Sequence, residues 1–127
     1  MNVVDSCGWL EYFARGLNTA FFAPAVEATD GSLVVPAICI YEVVKNILGQ
    51  FTRPEALKKI ALMTQAVVVL MDEPLAIEAA VISRELKLPM GDSIILATAR
   101  SRKATLWTQD AHFEHIEGVQ YCPKLLS

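Results

Sequence analysis

The chain has 127 residues, a formal net charge of −3 and a sequence pI of about 5.3, which excludes broad electrostatic attraction to nucleic acid but not a local basic strip. Hydrophobic residues make up 54% and the mean hydropathy is +0.38, yet acidic residues, lysine or proline interrupt every apolar run before it could span a bilayer. We therefore expect one cytoplasmic domain, residues 1–127, with no membrane anchor and with its surplus apolar surface covered by a second copy.

The N-terminal half alternates short β-branched runs with helical patterns. Val3–Asp5 is predicted to be the first strand, and Ser6 can cap the helix that follows it. A second helix is predicted over roughly Thr19–Thr29, and a second strand over Leu33–Pro36. The next stretch, 37–50, has its apolar residues on one helical face and is predicted to be a third helix.

The C-terminal half continues the alternation. Its predicted elements are a helix that ends near Gln65 and begins with the capping-box spacing of Thr52 and Glu55, a strand Val67–Met71, a helix Glu73–Leu86 capped by Asp72, an apolar helix Asp92–Arg102, a strand Ala104–Thr108 and a short strand Val119–Tyr121. The continuous apolar run of the third strand predicts burial on both faces. Strands joined by helical crossovers predict an α/β fold with a parallel sheet of about five strands, flanked by helices.

Four carboxylates from separate segments are directed to one edge of this sheet. Asp5 ends the first strand, and Asp110 follows the fourth strand by two residues. Asp92 begins a helix that runs antiparallel to the strand it precedes, so it lies at the same carboxyl edge. Glu42 is in the second turn of the helix after strand two, about 8 Å from that edge at a rise of ~1.5 Å per residue. Binding sites of open parallel sheets form at this edge.

Each of these acids also has a purely structural interpretation. Asp5 and Asp92 are good helix caps, Asp110 can begin a one-turn helix, and Glu42 can form a solvated pair with Lys45. If the four converge, however, their charges require a cation, and carboxylate oxygens suit Mg²⁺ or Mn²⁺. Such a site can polarise a phosphodiester and activate water.

Other kinds of site fit the sequence less well. It has no lysine-bearing phosphate loop, no glycine-rich dinucleotide fingerprint and, because position 7 is Cys7, no D-x-D motif of aspartyl-phosphate phosphatases. The three cysteines, which include Cys39 and Cys122, have no metal-binding spacing and are predicted to be reduced. His112 and His115 are too few for a histidine-rich metal site and are predicted to be surface residues near a loop.

Four stretches carry a family resemblance, namely VVDSCGWLEYF, VVPAICIYEVVKNIL, LPMGDSIILATAR and LWTQDAHF. In this order they resemble the PIN-domain nucleases, and among them the VapC-type toxins of prokaryotic toxin–antitoxin pairs. The resemblance implies a PIN-like three-layer sandwich, a Mg²⁺- or Mn²⁺-dependent endoribonuclease, an RNA substrate and a cognate antitoxin.

The resemblance also implies roles for individual residues. The catalytic and metal-binding positions of the family fall on Asp5, Glu42, Asp92 and Asp110. Ser6 and Thr108 match small polar positions beside the first and last of these acids. Asn46 lies one turn after Glu42 on the predicted helix, with Lys45, and is expected to support the site by contacting phosphate.

Two surfaces are expected to bind partners. The first two helices concentrate aromatic residues, most of them expected in the core and some in a groove that, by resemblance, accepts an antitoxin segment: Trp9, Tyr12, Phe13, Phe21 and Phe22. Ile47 and Leu48 are expected to help form a homodimer face. Two other functions stay open, a PIN nuclease of RNA processing without an antitoxin and a catalytically silent partner-binding module.

Overall fold

The computed structural model describes residues 1–126, so the end of the predicted domain, residue 127, lies outside the described residues. A five-stranded parallel sheet has helices on both sides. The strands are β1 (Asn2–Val4), β2 (Leu33–Pro36), β3 (Val67–Val69), β4 (Thr105–Thr108) and β5 (Val119–Tyr121). The helices are α1 (Ser6–Phe13), α2 (Thr19–Val26), α3 (Ala37–Ile47), α4 (Arg53–Thr64), α5 (Glu73–Leu86) and α6 (Met90–Ser101), with one 3₁₀ turn at Ala111–Phe113.

The strand order is β3-β2-β1-β4-β5, which puts β1 in the centre of the sheet. Val3 is in register with Val34 of β2 and with Leu106 of β4. Because all pairs are parallel, the carboxyl ends of the three central strands meet at one edge. The α/β architecture and the five-stranded parallel sheet predicted from the sequence are therefore confirmed.

Local capping chemistry explains where several helices begin. The Thr52 hydroxyl accepts the Glu55 amide at 3.4 Å, and an Asp72 carboxylate oxygen accepts the Leu75 amide at 3.0 Å. Both caps are as the sequence predicts. At α1 the prediction is wrong by one residue, since Asp5 and not Ser6 is the N-cap. Because Asp5 is the N-cap, β1 ends at Val4 and not at Asp5 as predicted.

The core lies between the sheet and the helices. Strands β1 and β2 are almost wholly buried, and the middle of α6 from Ser93 to Ala99 is buried on all sides, as its apolar composition predicts. Gly8 allows α1 to approach this core closely, because a Cβ at that position would lie 2.6 Å from Cε1 of Phe22. Of the aromatic residues in the first two helices, Trp9 and Phe22 are fully buried. Within residues 1–126, no helix combines the length and apolarity needed to cross a membrane.

The third strand, the exposure of Ile47 and the bounds of three helices differ from the sequence predictions. The third strand covers only Val67–Val69 and is a half-exposed edge strand, whereas Leu70 and Met71 are 72% and 54% exposed. Ile47 is fully buried, so only Leu48 of the predicted homodimer pair is available at the surface. Helices α2 and α3 end three residues before their predicted ends, and α6 begins two residues before Asp92.

Candidate active site

The fold brings the four predicted carboxylates to the carboxyl edge of the sheet. Asp5 follows β1 directly, and Asp110 follows β4 by two residues. Asp92 is in the first turn of α6, and Glu42 is in the second turn of α3. The four side chains come from four segments that are far apart in sequence.

Asp5 is only 3% exposed, and it is not among the side chains whose ligand atoms lie within 4.8 Å of one another, which are Asp92, Asp110 and His112. Its Oδ1 accepts the Ser6 amide at 2.8 Å, which makes it the N-cap of α1. Its Oδ2 accepts the Thr108 hydroxyl at 2.7 Å and the Cys7 thiol at 3.2 Å. The structural and the functional interpretations of this residue are therefore compatible, since the cap uses one oxygen and leaves the other facing the site.

Two hydroxyl groups connect the carboxylates to one another. The Ser6 hydroxyl donates to Oε1 of Glu42 at 2.7 Å, while the Ser6 amide binds Asp5. The Thr108 hydroxyl donates to Asp5 and accepts the Asp110 amide at 2.9 Å. Ser6 and Thr108 thus link Asp5 to Glu42 on one side and to the Asp110 backbone on the other.

Glu42 reaches the first turn of α6. A Cβ at Gly91 would lie 3.0 Å from Oε2 of Glu42, so the absence of a side chain at Gly91 leaves room for the carboxylate. This position places a negative charge beside a helix N-terminus, where the helix dipole stabilises it. It also places Glu42 near Asp92, whose pKa it helps to raise.

Burial and mutual repulsion disfavour the ionised form of the cluster. Burial raises the pKa of Asp5 to about 6, and the charge of Asp92 adds to this effect against the opposing hydrogen bond from Thr108. Burial also raises the pKa of Asp92, and the Asp110 carboxylate contributes in the same direction. Carboxylates with raised pKa values in a cleft are typical of functional sites.

His112 belongs to this cluster, although the sequence predicted only a surface histidine. Its Nδ1 lies 2.9 Å from Oδ2 of Asp92 and 3.3 Å from Oδ1 of Asp110. Its amide donates to Oδ1 of Asp110 at 2.9 Å, so the 3₁₀ turn folds the ring back over the acids. Hydrogen bonding to Asp92 raises the pKa of His112. The sequence does contain a signal for this contact, because Asp110 and His112 are two residues apart after β4. That spacing is typical of an aspartate that caps a short turn and brings the histidine beside it.

Cys7 hydrogen-bonds to a carboxylate of the site, whereas Asn46 hydrogen-bonds only to the backbone of Glu42. Cys7, left out of the predicted site, donates its thiol to Asp5 and lies 3.5 Å from the Thr108 hydroxyl. Burial and the Asp5 charge raise the pKa of this thiol, so it remains a hydrogen-bond donor. Asn46 is exposed, and its amide donates to the Glu42 backbone carbonyl at 2.9 Å. It does not contact the Glu42 carboxylate.

A cleft of about 450 Å³ adjoins Asp110 and Cys7. One wall contains Glu11, which is buried and accepts the Asn18 amide at 2.8 Å and the Gln109 side-chain amide at 3.3 Å. Lys124 lies 3.8 Å from the same carboxylate. This network holds the backbone of residue 109, and with it the start of the Asp110 turn, against α1.

The donor chemistry of the cluster fits a divalent cation. Asp92 and Asp110 each contribute a carboxylate oxygen and His112 contributes a ring nitrogen, and these three atoms lie within 4.8 Å of one another. Carboxylate oxygens are the preferred ligands of Mg²⁺ and Mn²⁺, and a cation would offset the burial and the weaker mutual repulsion that raise the pKa values of Asp5 and Asp92. The residues present are therefore suitable for holding such an ion.

The fold and this acidic edge define an α/β protein with a carboxylate-lined site at the carboxyl end of a parallel sheet. The family model of the PIN domain matches residues 3–119. The chain therefore belongs to the PIN domain family. No curated relative matches the sequence.

Several solved structures share the fold at low sequence identity. A toxin–antitoxin complex from Klebsiella pneumoniae is 22% identical with a TM-score of 0.79, covering 94% of this chain and 96% of that chain. VapBC-1 from nontypeable Haemophilus influenzae is 21% identical with a TM-score of 0.72, covering 96% of each chain. VapC20 from Mycobacterium tuberculosis, a sarcin-ricin loop cleaving toxin, is 15% identical with a TM-score of 0.72, covering 92% of this chain and 95% of that chain.

Proposed function

We propose that this protein is a metal-dependent endoribonuclease and the toxin of a type II toxin–antitoxin pair, acting in the cytoplasm as a single PIN domain over residues 1–127. The observation that carries the proposal is the gathering of Asp5, Glu42, Asp92 and Asp110 at one edge of the sheet, where Ser6 and Thr108 link Asp5 to Glu42 and to the Asp110 backbone, and His112 contacts both Asp92 and Asp110. The solved structures that share the fold include toxin–antitoxin complexes and a sarcin-ricin loop cleaving toxin.

The four acidic residues have different proposed roles in phosphodiester hydrolysis. Asp5, Asp92 and Asp110 would hold Mg²⁺ or Mn²⁺, and Glu42 completes the negative charge around it. A bound ion supplies Lewis acidity for the phosphate and a water of lowered pKa. The protein supplies orientation, because the Ser6 and Thr108 hydroxyls hold the Glu42 and Asp5 carboxylates in place before RNA arrives. Asp5 is shielded from bulk water, which strengthens its interaction with a cation.

The proposal is tested by cleavage of a structured RNA and of total RNA. We expect cleavage in Mg²⁺ or Mn²⁺ that stops when EDTA is added and returns when excess ion is restored. Sequencing of the RNA ends identifies the site that is cut. Cleavage that persists in EDTA would reject a metal-dependent nuclease.

A groove on α1, α2 and α4 is the proposed binding site of the antitoxin. It has a volume of about 620 Å³ and is lined by apolar side chains, by basic ones and by one acid that accepts the Tyr12 hydroxyl: Tyr12, Phe13, Leu62, Arg15, Lys58, Lys59 and Glu27. The Lys59 ammonium lies 5.8 Å from the centre of the Phe13 ring. This surface suits an amphipathic segment that carries acidic residues beside its apolar face.

A charge placed in this groove is expected to disrupt toxin–antitoxin binding. Leu62→Arg puts a guanidinium among the apolar side chains, so we expect at least tenfold weaker binding of the antitoxin encoded beside this gene, or about 1.4 kcal/mol. Leu57→Arg is the matched control, since Leu57 lies on the same helix, is 55% exposed and does not line the groove. Calorimetry with the purified antitoxin measures both affinities.

Equal binding by the two variants would place the antitoxin elsewhere. Absence of any adjacent antitoxin gene would favour the alternative of an RNA-processing nuclease.

We also propose a homodimer, because Ile77 and Val81 are 59% and 43% exposed and lie four residues apart on α5, where they form an apolar stripe.

A further inference from the structure

One nitrogen donor lies among the oxygen donors of the site. Nδ1 of His112 faces Asp92 and Asp110 at 2.9 and 3.3 Å. Those two distances place all three groups around one point, and their ligand atoms fall within 4.8 Å of one another. The other histidine, His115, lies 3.9 Å from Glu114 and is not part of the cluster.

The backbone that carries the ring is anchored to the site by hydrogen bonds to two side chains. The His112 amide donates to Oδ1 of Asp110, and the Asp110 amide donates to Thr108. The ring is therefore tied to the strand end that carries the site. Its side chain is 58% exposed, so solvent can reach the ring while Nδ1 faces the acids.

This arrangement matters for the choice of ion. Mg²⁺ takes oxygen ligands almost exclusively and keeps several waters, whereas imidazole nitrogen is a good ligand for transition metals. A site made only of carboxylates distinguishes poorly between Mg²⁺ and Mn²⁺. The same site with one imidazole nitrogen gains affinity for Mn²⁺ and gains little for Mg²⁺.

We propose, building on the nuclease function proposed above, that His112 is a metal ligand through Nδ1 and makes this site prefer Mn²⁺ to Mg²⁺. Asp92 and Asp110 provide the neighbouring oxygen ligands. The alternative arrangement has the protonated ring acting as a built-in counter-ion that an arriving cation must displace. These two arrangements predict opposite effects of removing the ring.

The test measures ion binding directly, without RNA. Mn²⁺ and Mg²⁺ affinities are determined by calorimetry at pH 8 for the wild type, His112→Ala, His112→Asn and the control His115→Ala. Pulsed electron paramagnetic resonance of bound Mn²⁺ detects a directly coordinated ¹⁴N nucleus. Because His112 is exposed, its replacement is not expected to unfold the chain.

We expect His112→Ala to weaken Mn²⁺ binding about tenfold or more, to change Mg²⁺ binding less than about twofold, and to lose the ¹⁴N coupling. His112→Asn also loses the coupling, and His115→Ala keeps it. Stronger binding of both ions by His112→Ala would overturn the proposal in favour of the counter-ion arrangement. A ¹⁴N signal that survives, or unchanged Mn²⁺ affinity, would overturn it as well. Failure of the wild type to bind either ion would instead reject the metal-dependent nuclease itself.

Discussion

Asp5→Asn is expected to abolish RNA cleavage and to stabilise the ion-free protein at neutral pH. Removing this charge takes away one of the proposed oxygen ligands, so we expect a loss greater than the roughly 10–100-fold that is typical for partners of a metal ligand. The stabilisation has a separate cause. The carboxylate of Asp5 is buried, which raises its pKa from 3.8 to about 6.

The sign of the stability change follows from proton linkage. The folded protein binds the Asp5 proton more tightly than the unfolded chain, so wild-type stability falls as the pH rises from about 4 to about 6 and stays low above that. Asparagine does not ionise and avoids this loss. Its side chain has only one acceptor oxygen, so it can accept the Ser6 amide or the Thr108 hydroxyl but not both, and we expect a net gain of about 1–2 kcal/mol at pH 8.

Urea unfolding in EDTA at pH 4.5 and pH 8 measures the stability, and RNA cleavage measures the activity. Asp72→Asn is the control, because Asp72 is also a helix N-cap but lies outside the cluster. It should cleave RNA normally. A destabilised Asp5→Asn protein at pH 8 would show that the cap, and not the buried charge, dominates the energetics of this position.

Thr108→Val has the second largest expected effect. The residue is fully buried, and its hydroxyl both donates to Asp5 at 2.7 Å and accepts the Asp110 amide at 2.9 Å. Valine keeps the shape of threonine but leaves both groups without this partner. We expect a loss of stability of about 2–4 kcal/mol and at least a tenfold loss of RNA cleavage.

Thr108→Ser separates the hydroxyl from the side-chain volume. It keeps both hydrogen bonds and loses one methyl group, at a cost of about 1 kcal/mol. We expect serine to restore most of the cleavage rate, which is measured beside chemical unfolding for each variant. If valine cleaves as well as serine, the hydroxyl does not position the carboxylates.

The convergence of the acids could be predicted because it depends on topology. A strand that ends at Asp5 and a helix that begins near Asp92 must present these residues at one edge if the sheet is parallel. The hydroxyl links could not be predicted in the same way. Ser6 and Glu42 are 36 residues apart, and their contact depends on how α3 packs beside α1.

The errors have the same origin. Val67–Met71 is apolar enough for a central strand, but its strand is at the edge because the sheet order is β3-β2-β1-β4-β5. Strand order is a long-range property that a local apolar run does not encode. His112 was missed because the direction of its ring is set by a 3₁₀ turn of three residues, too short for any periodic pattern.

The two ends of α1 separate the proposed activities. Asp5 caps its beginning, and Tyr12 and Phe13 line the antitoxin groove at its end, about 12 Å away at a rise of ~1.5 Å per residue. A chain that is inactivated by a substitution of Asp5 is therefore expected to keep the groove on α1, α2 and α4 intact. If the proposed antitoxin binds this groove, we expect such a chain to bind antitoxin in a cell that holds both forms and so to leave more of the active form uninhibited.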